Sequence, residues 1–406
     1  MSGKRQAFPV RWVYLGVGVA ALLFAGIIYG WSILKAPLAD AFGWTAPQLA
    51  LNFTLTMWFF CVGGFVGGIA IKRLGSRVML ILAGAVTFLG FFLISRLNGS
   101  IMMLYIGYGV LAGTGIGIAY NVIISTVSAW FPDKKGTCSG TLMMGFGASA
   151  LVVGNLASAL IDGPGWRTAY LTLGACLGII LVIAGLVLRR PSDGTILPEA
   201  PKKEIAAGGE DFEARDYTTG EMMRRFTFWR AFLCIVCLSA VGNTVISFAR
   251  DLALSVGASA ALATTLVGVL SICNGLGRIV TGALFDKMGR KKTMLIANVL
   301  AIAAAATTLF AVMMGSLPLC VIGLGITGFS YGASPTISSA FTSAFYGAKH
   351  FPLNFSVMNF NLVAASSMAT AASGLLVSTG SYVGPLVFLL VLAAISLLLD
   401  LSIKKP

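Results

Sequence analysis

The chain is poor in the side chains that usually do chemistry. It has one histidine, His350, and 14 acidic residues in 406, and every Asp and Glu lies in a loop or at the end of an apolar run. Catalysis inside a membrane needs paired acids, a Ser/His arrangement or clustered metal ligands within the helices. The enzyme class is therefore excluded, and no cofactor or metal is implied. The seven cysteines follow no framework spacing, and the one close pair, Cys234 and Cys237, falls inside an apolar run. Inert thiols are expected there, not a redox motif. Charged residues are only 10% of the chain, too few for a soluble domain of useful size.

What is plentiful is apolar surface: 57% hydrophobic residues, 49 glycines and a mean hydropathy of +0.91. Runs of about 20 residues, the length that crosses roughly 30 Å of hydrocarbon, fall near 12–34, 47–71, 78–95, 101–130, 138–161, 166–188, 226–249, 258–285, 291–314, 317–346, 351–378 and 382–403. An all-α membrane protein of twelve transmembrane helices is expected. Of the 28 Lys and Arg, Lys35, Arg96, Arg167 and Arg250 fall at one set of helix ends, Arg278 falls within a run, and the other 23 fall at the opposite ends. The positive-inside rule makes those 23 cytoplasmic, together with both termini. A net charge of +14 would suggest nucleic acid in a soluble protein. Here the surplus sits in short loops such as Lys72-Arg73 and Arg290-Lys291-Lys292, facing anionic lipid, and no nucleic-acid partner is expected. The first run follows Lys4, Arg5 and Arg11 but is too long for a signal-peptide core, so it reads as a retained helix.

One polar stretch, 190–225, divides the runs six and six. The expected organisation is a bundle at 1–189, a cytoplasmic linker at 190–225 and a second bundle at 226–406. The halves echo each other. Gly68-Ile-Ala-Ile-Lys72-Arg73-Leu-Gly75-Ser-Arg77 returns 214 residues later as Gly282-Ala-Leu-Phe-Asp286-Lys287-Met-Gly289-Arg290-Lys291, and Gly117-Ile-Ala-Tyr120 returns as Gly328-Phe-Ser-Tyr331. Parallel six-helix repeats imply two pseudo-symmetric bundles with a transport site between them.

The pattern at 282–291 resembles the loop signature of the major facilitator superfamily, with a degenerate first copy that has Lys72 where an acid is usual. More narrowly, Trp130-Phe-Pro-Asp-Lys134-Lys135-Gly136, running on to Gly145, looks like the second signature of monocarboxylate transporters and like the matching stretch of oxalate/formate antiporters. The acidic-Gly-aromatic signature that opens helix 1 in animal monocarboxylate transporters is missing, since this helix begins Arg11-Trp12-Val13-Tyr14. The resemblance therefore favours a bacterial protein of the cytoplasmic (inner) membrane, near the oxalate/formate group and working as one chain. It also implies that Asp286 and Arg290 belong to a charge network that stabilises one access state.

Arg278 is the one charged side chain deep within a run. A guanidinium keeps its proton and costs a few kcal/mol or more at bilayer depth unless it lines a cavity, and no acid in the runs is placed to pair with it. Counting 1.5 Å per residue, Arg278 lies about 12 Å from Asp286 at its helix end, Tyr120 about 15 Å from Trp130, Phe360 about 14 Å from Phe351 and Tyr331 about 21 Å from Phe345. All four fall near the midplane. Asn274, one turn before Arg278, shares its helix face. These five residues are the expected anion site, with Asn274 orienting the guanidinium or bonding a substrate hydroxyl. Tyr29, about 27 Å up the first helix from Arg11, is expected at an outer gate. The glycines at 109, 113, 115, 117, 325, 328 and 332 are expected to serve close helix packing. Arg250-Asp251 reads as a local pair.

Charge counting narrows the substrate. Oxalate/formate antiporters, by family resemblance, face two carboxylates with an arginine on helix 8 and a lysine on helix 11; the corresponding position here is Leu362. One cation suits one carboxylate, so a lactate- or pyruvate-like anion is expected, its tail on Phe360, with an oxalate-type antiporter as the alternative. Animal monocarboxylate transporters have a proton-linked aspartate four residues before the arginine, where this chain has Asn274. Exchange is therefore favoured, and Lys35, Asp251 and His350 are the candidates if a proton is carried.

Overall fold

The computed structural model describes residues 8–191, 195, 197, 216–347 and 349–403. Among them all regular structure is helical. Hydrocarbon offers no water to a backbone amide, so each crossing segment must close its own hydrogen bonds, as an α-helix does. Among the described residues ten helices are long and apolar enough to cross a membrane. Two of them, Ala46–Ser95 and Ala260–Met313, are of double length and are broken at Gly75 (φ 77°, ψ 165°) and Gly289 (φ 74°, ψ 179°). These glycines hold the same place in the two copies of the repeated loop motif, in a backbone region that essentially only glycine enters.

Twelve membrane segments result: α1 Val10–Leu34, α2 46–74, α3 76–95, α4 Ile101–Ser128, α5 Thr137–Asp162, α6 Trp166–Val187, α7 Phe226–Ser255, α8 260–288, α9 290–313, α10 Leu317–Tyr346, α11 Phe351–Thr379 and α12 Val383–Ser402. The end of the bundle carrying Lys72, Arg73 and Arg290 to Lys292 is the basic end. Within the second half, α8 and α10 touch through glycine. A Cβ at Gly277, Gly328 or Gly332 would lie 2.2 Å from a carbonyl oxygen of the facing helix. In the first half Gly117 of α4 meets the Phe60 carbonyl of α2 in the same way, at 2.0 Å. Lipid tails give helices no hydrophobic reason to associate, so such close backbone approach supplies dispersion contact instead.

The halves meet where α2 packs on α11, α5 on α8 and α1 on α7. Toward the basic end, Asn121 Nδ2 donates to Ser356 Oγ at 2.8 Å, and Ser356 Oγ donates to the Gly64 carbonyl at 3.1 Å. Toward the opposite end, Thr54 and Thr370 share a hydroxyl hydrogen bond of 2.7 Å, and Lys35 pairs with Asp251 at 3.1 Å. Asp251 thus joins α7 to α1 across the two halves, which corrects the local Arg250-Asp251 reading; neighbours on a helix point in different directions.

The expected linker is described only in part, and Glu210, Asp211, Phe212 and Glu213 lie outside the described residues. Its last stretch is docked on the α10–α11 turn. Tyr217 N donates to the Tyr346 carbonyl at 3.1 Å, Asn354 Nδ2 donates to the Tyr217 carbonyl at 3.0 Å, and Lys349 N donates to Asp216 Oδ1 at 3.0 Å. Thr219 Oγ1 donates to Asn354 Oδ1 at 2.7 Å.

Candidate functional site

Arg278 on α8 has no exposed surface. Its Nε donates to Asn274 Oδ1, one turn back, at 3.1 Å. That bond fixes the plane of the guanidinium and leaves the fork of Nη1 and Nη2 pointing away from its own helix. Both nitrogens are buried and make no hydrogen bond of good geometry among the described residues; the Tyr120 hydroxyl is the group placed to accept from them. A buried charge in that condition is expensive unless an anion arrives to meet it.

Aromatic rings wall the guanidinium. Its Cζ lies 5.8 Å from the Tyr29 ring centroid and 6.0 Å from that of Phe146, close enough for cation–π attraction. Phe146 stands edge-on to Tyr29 at 5.2 Å and to Tyr120 at 5.0 Å, and Phe60 lies 5.1 Å from Tyr120. Tyr120 and Tyr331 stand beside the same guanidinium. Tyr331 Oη is 3.0 Å from Tyr29 Oη and donates to Asn243 Oδ1 at 3.0 Å.

Local structure explains the convergence. A side chain on a helix tilts toward that helix's N-terminus. Tyr29 on α1 therefore tips toward the basic end, while Arg278, Tyr120 and Tyr331, on helices running the other way, tip from the basic end toward it. Tyr29 thus belongs to the central group and not to an outer gate, because counting Cα positions ignores the side-chain tilt. Gly26 opens the 3₁₀ turn Gly26–Gly30 that carries Tyr29, and a Cβ there would lie 2.0 Å from the Phe146 carbonyl. On α10, Pro335 lacks the N–H that would bond the Tyr331 carbonyl, which loosens the helix at that turn.

The other expected residues lie elsewhere. Phe360 does not join the group: α11 is interrupted at this residue, and its half-buried ring meets Phe65 of α2 at 6.1 Å. The interruption alters the face on which residue counting would place it. Phe146 supplies the aromatic wall instead; it is the single aromatic residue of its run, Thr137–Asp162, which is the signal that could have found it. Leu362 is buried. Lys35 sits toward the end opposite the basic one, its Nζ also donating to the Ser247 carbonyl at 3.3 Å. His350 is in the α10–α11 turn, where its carbonyl accepts from Asn354 N at 3.0 Å.

Asp286 and Arg290 meet different elements. Arg290 Nη1 is 3.8 Å from Asp400 Oδ1 on α12, and its Nη2 donates to the Ile403 carbonyl at 3.3 Å. The Asp286 carboxylate lies near the Thr137 backbone N–H in the first turn of α5. The turn at Gly289 separates the two side chains, sending Arg290 onto α9 against α12 and leaving Asp286 on α8 beside α5. A carboxylate at a helix N-terminus is favoured by the unpaired amides and the dipole, and this contact closes the basic end across the two halves.

Beside Asn274 a narrow cleft of about 10 Å³, room for about one water, is lined by Tyr29, Gly147, Ile246, Ala249, Ser271 and Asn274. A buried cation walled by aromatic rings, in a bundle whose halves are joined by contacts toward both membrane faces, can bind a small anion and seal it from water.

The chain was compared with known proteins. The family model for the Major Facilitator Superfamily matches residues 13–249 and 231–404. The oxalate:formate antiporter of Oxalobacter formigenes is 28% identical over 347 residues, covering 85% of this chain and 80% of that one. Human monocarboxylate transporter 11 is 26% identical over 379 residues, 91% of this chain and 75% of the relative. Among solved structures, a major facilitator superfamily proton:xylose symporter, XylE, superposes with a TM-score of 0.71 over 97% of both chains at 14% identity, a likeness of fold.

Proposed function

Since the chain belongs to the Major Facilitator Superfamily and has its transporter fold, we propose that it moves small monocarboxylates of the lactate or pyruvate kind by alternating access, holding the carboxylate on Arg278. The observation that carries this reading is the buried guanidinium of Arg278, which no carboxylate meets among the described residues. A carboxylate matches that fork with two parallel charge-assisted hydrogen bonds. The rings of Tyr29, Tyr120 and Phe146 suit a short apolar tail. Both relatives' names refer to small carboxylates. The bundles at 1–189 and 226–406 rock about the site, the basic end faces the cytoplasm with both termini, and the membrane is the bacterial inner membrane.

Loaded with one anion the site is neutral, and emptied it holds an uncompensated cation, which disfavours return of the empty carrier and favours exchange. Lys35 and Asp251 are the pair through which proton coupling would act, since they join the halves. The second reading is an oxalate:formate type antiporter, favoured by the relative of that name. It would leave the second carboxylate of oxalate desolvated beside Leu362, at a cost of several kcal/mol.

The test is uptake of labelled L-lactate into proteoliposomes, with an inward proton gradient or with internal unlabelled lactate, and with oxalate as competitor. Stimulation by internal lactate establishes exchange, and accumulation driven by the gradient establishes symport. Strong oxalate uptake without lactate flux refutes the one-carboxylate reading.

A further inference from the structure

Asn243 on α7 has no exposed surface. Its amide oxygen accepts the hydroxyl proton of Tyr331 at 3.0 Å, and its amide nitrogen has no hydrogen-bond partner among the described residues. Since Tyr331 spends its proton on Asn243, Tyr29 must be the donor in the 3.0 Å contact between the two phenols. The chain Tyr29 to Tyr331 to Asn243 therefore has one direction, with the amide NH2 on the side away from Tyr331. A Cβ at the neighbouring Gly242 would lie 2.3 Å from Tyr331 Cβ, so the α7 backbone is pressed against that residue.

Asn243 is tied to the site through the phenols: its partner Tyr331 meets the hydroxyl of Tyr29, whose ring lies 5.8 Å from the Arg278 Cζ. An amide NH2 buried without an acceptor is costly, and sites that pay such a cost are commonly completed by a ligand.

We infer that Asn243 is a specificity-determining residue of this site, donating from Nδ2 to the 2-oxygen of a 2-hydroxy or 2-oxo monocarboxylate whose carboxylate sits on Arg278. The inference rests on the monocarboxylate reading and sharpens it: a 2-oxygen, present in lactate and pyruvate and absent from propionate, becomes a requirement for tight binding. A site built to hydrogen-bond an oxygen discriminates strongly against the analogue that lacks it.

The test is binding of L-lactate, pyruvate and propionate to the purified full chain by titration calorimetry. Wild type, Asn243→Leu, which keeps shape and removes the donor, and Asn243→Ser, a smaller change that serves if the first fails to fold, are compared. Wild type is expected to prefer lactate and pyruvate over propionate by about tenfold or more. In the variants that preference collapses through weaker binding of the 2-substituted acids, with propionate unaffected. An unchanged lactate-to-propionate ratio in a variant that still binds lactate overturns the role of Asn243 and leaves the Arg278 site standing. Failure of wild type to bind any of the three acids overturns the monocarboxylate reading itself, and the inference with it.

Discussion

One added methyl group probes how tightly the cation is held. A Cβ at Gly147 of α5 would lie 2.9 Å from Arg278 Nε and 3.3 Å from both Arg278 Cζ and Asn274 Cγ. Carbon contacts settle near 3.5–4.0 Å, so the guanidinium must retreat by roughly 0.5–1 Å. Asn274 is crowded by the same methyl and cannot follow while keeping its 3.1 Å bond to Nε. A misplacement of about 1 Å in a positioned group costs on the order of 10²-fold in its task. Alanine meanwhile favours a helix over glycine by about 1 kcal/mol, so lost function would not reflect lost folding. Labelled lactate exchange in proteoliposomes should show Gly147→Ala with KM raised at least about tenfold and an undiminished Tm. Gly16→Ala, whose Cβ would have nothing within 4 Å, is the control. A Gly147→Ala protein with wild-type KM would refute the tight cradle and the central place of Arg278.

Further expectations concern the same site and its gates. Arg278→Ala, and even Arg278→Lys, should abolish transport because lysine cannot reproduce the bidentate fork; robust uptake by Arg278→Ala would end the site assignment. Leu362→Lys should shift preference toward dicarboxylates in a competition assay, and unaltered selectivity in a folded variant would count against one-cation selection. Asp251→Asn removes the partner of Lys35. With Asp251 half-exposed the pair is worth about 0–1 kcal/mol, so opening at that end should rise by at most about fivefold and less in high salt. Labelling of an engineered Ala249→Cys by an impermeant reagent reads this, and slower labelling would contradict it. Gly75→Ala and Gly289→Ala should each cost about 1–3 kcal/mol by forcing a side chain into a glycine-only region, measured as a fall in Tm; unchanged melting would deny the strain.

Much of the fold was legible because hydrocarbon imposes a simple rule: apolar runs of sufficient length become helices, and the repeated loop motif announces two related halves. The glycine breaks at 75 and 289 were visible as matching letters, though their positive φ was not. Depth counting brought Arg278, Tyr120 and Tyr331 to one level because all three ride on helices running in the same direction. It placed Tyr29 too far out because that side chain tilts the other way. Phe360 was misdirected by an interruption in α11 that carries no proline to announce it. Phe146 is one of 26 phenylalanines but the single aromatic residue of its run, and the meeting of α1 with α5 brings it to the site. The contact of Arg290 with Asp400 depends on the packing of α9 on α12, which no spacing encodes.

The hydrogen bonds from Asp216, Tyr217 and Thr219 to the α10–α11 turn also bear on how the polypeptide can be interrupted. A carrier protein spliced in ahead of Asp216, or a break placed there for producing the two halves from separate messages, leaves this staple attached to the bundle it grips. The same insertion a few positions later, beyond Thr219, pulls the staple away from Asn354 and loosens the point at which α11 enters the membrane. Two insertions only a few residues apart should therefore give a working protein in one case and a leaky one in the other.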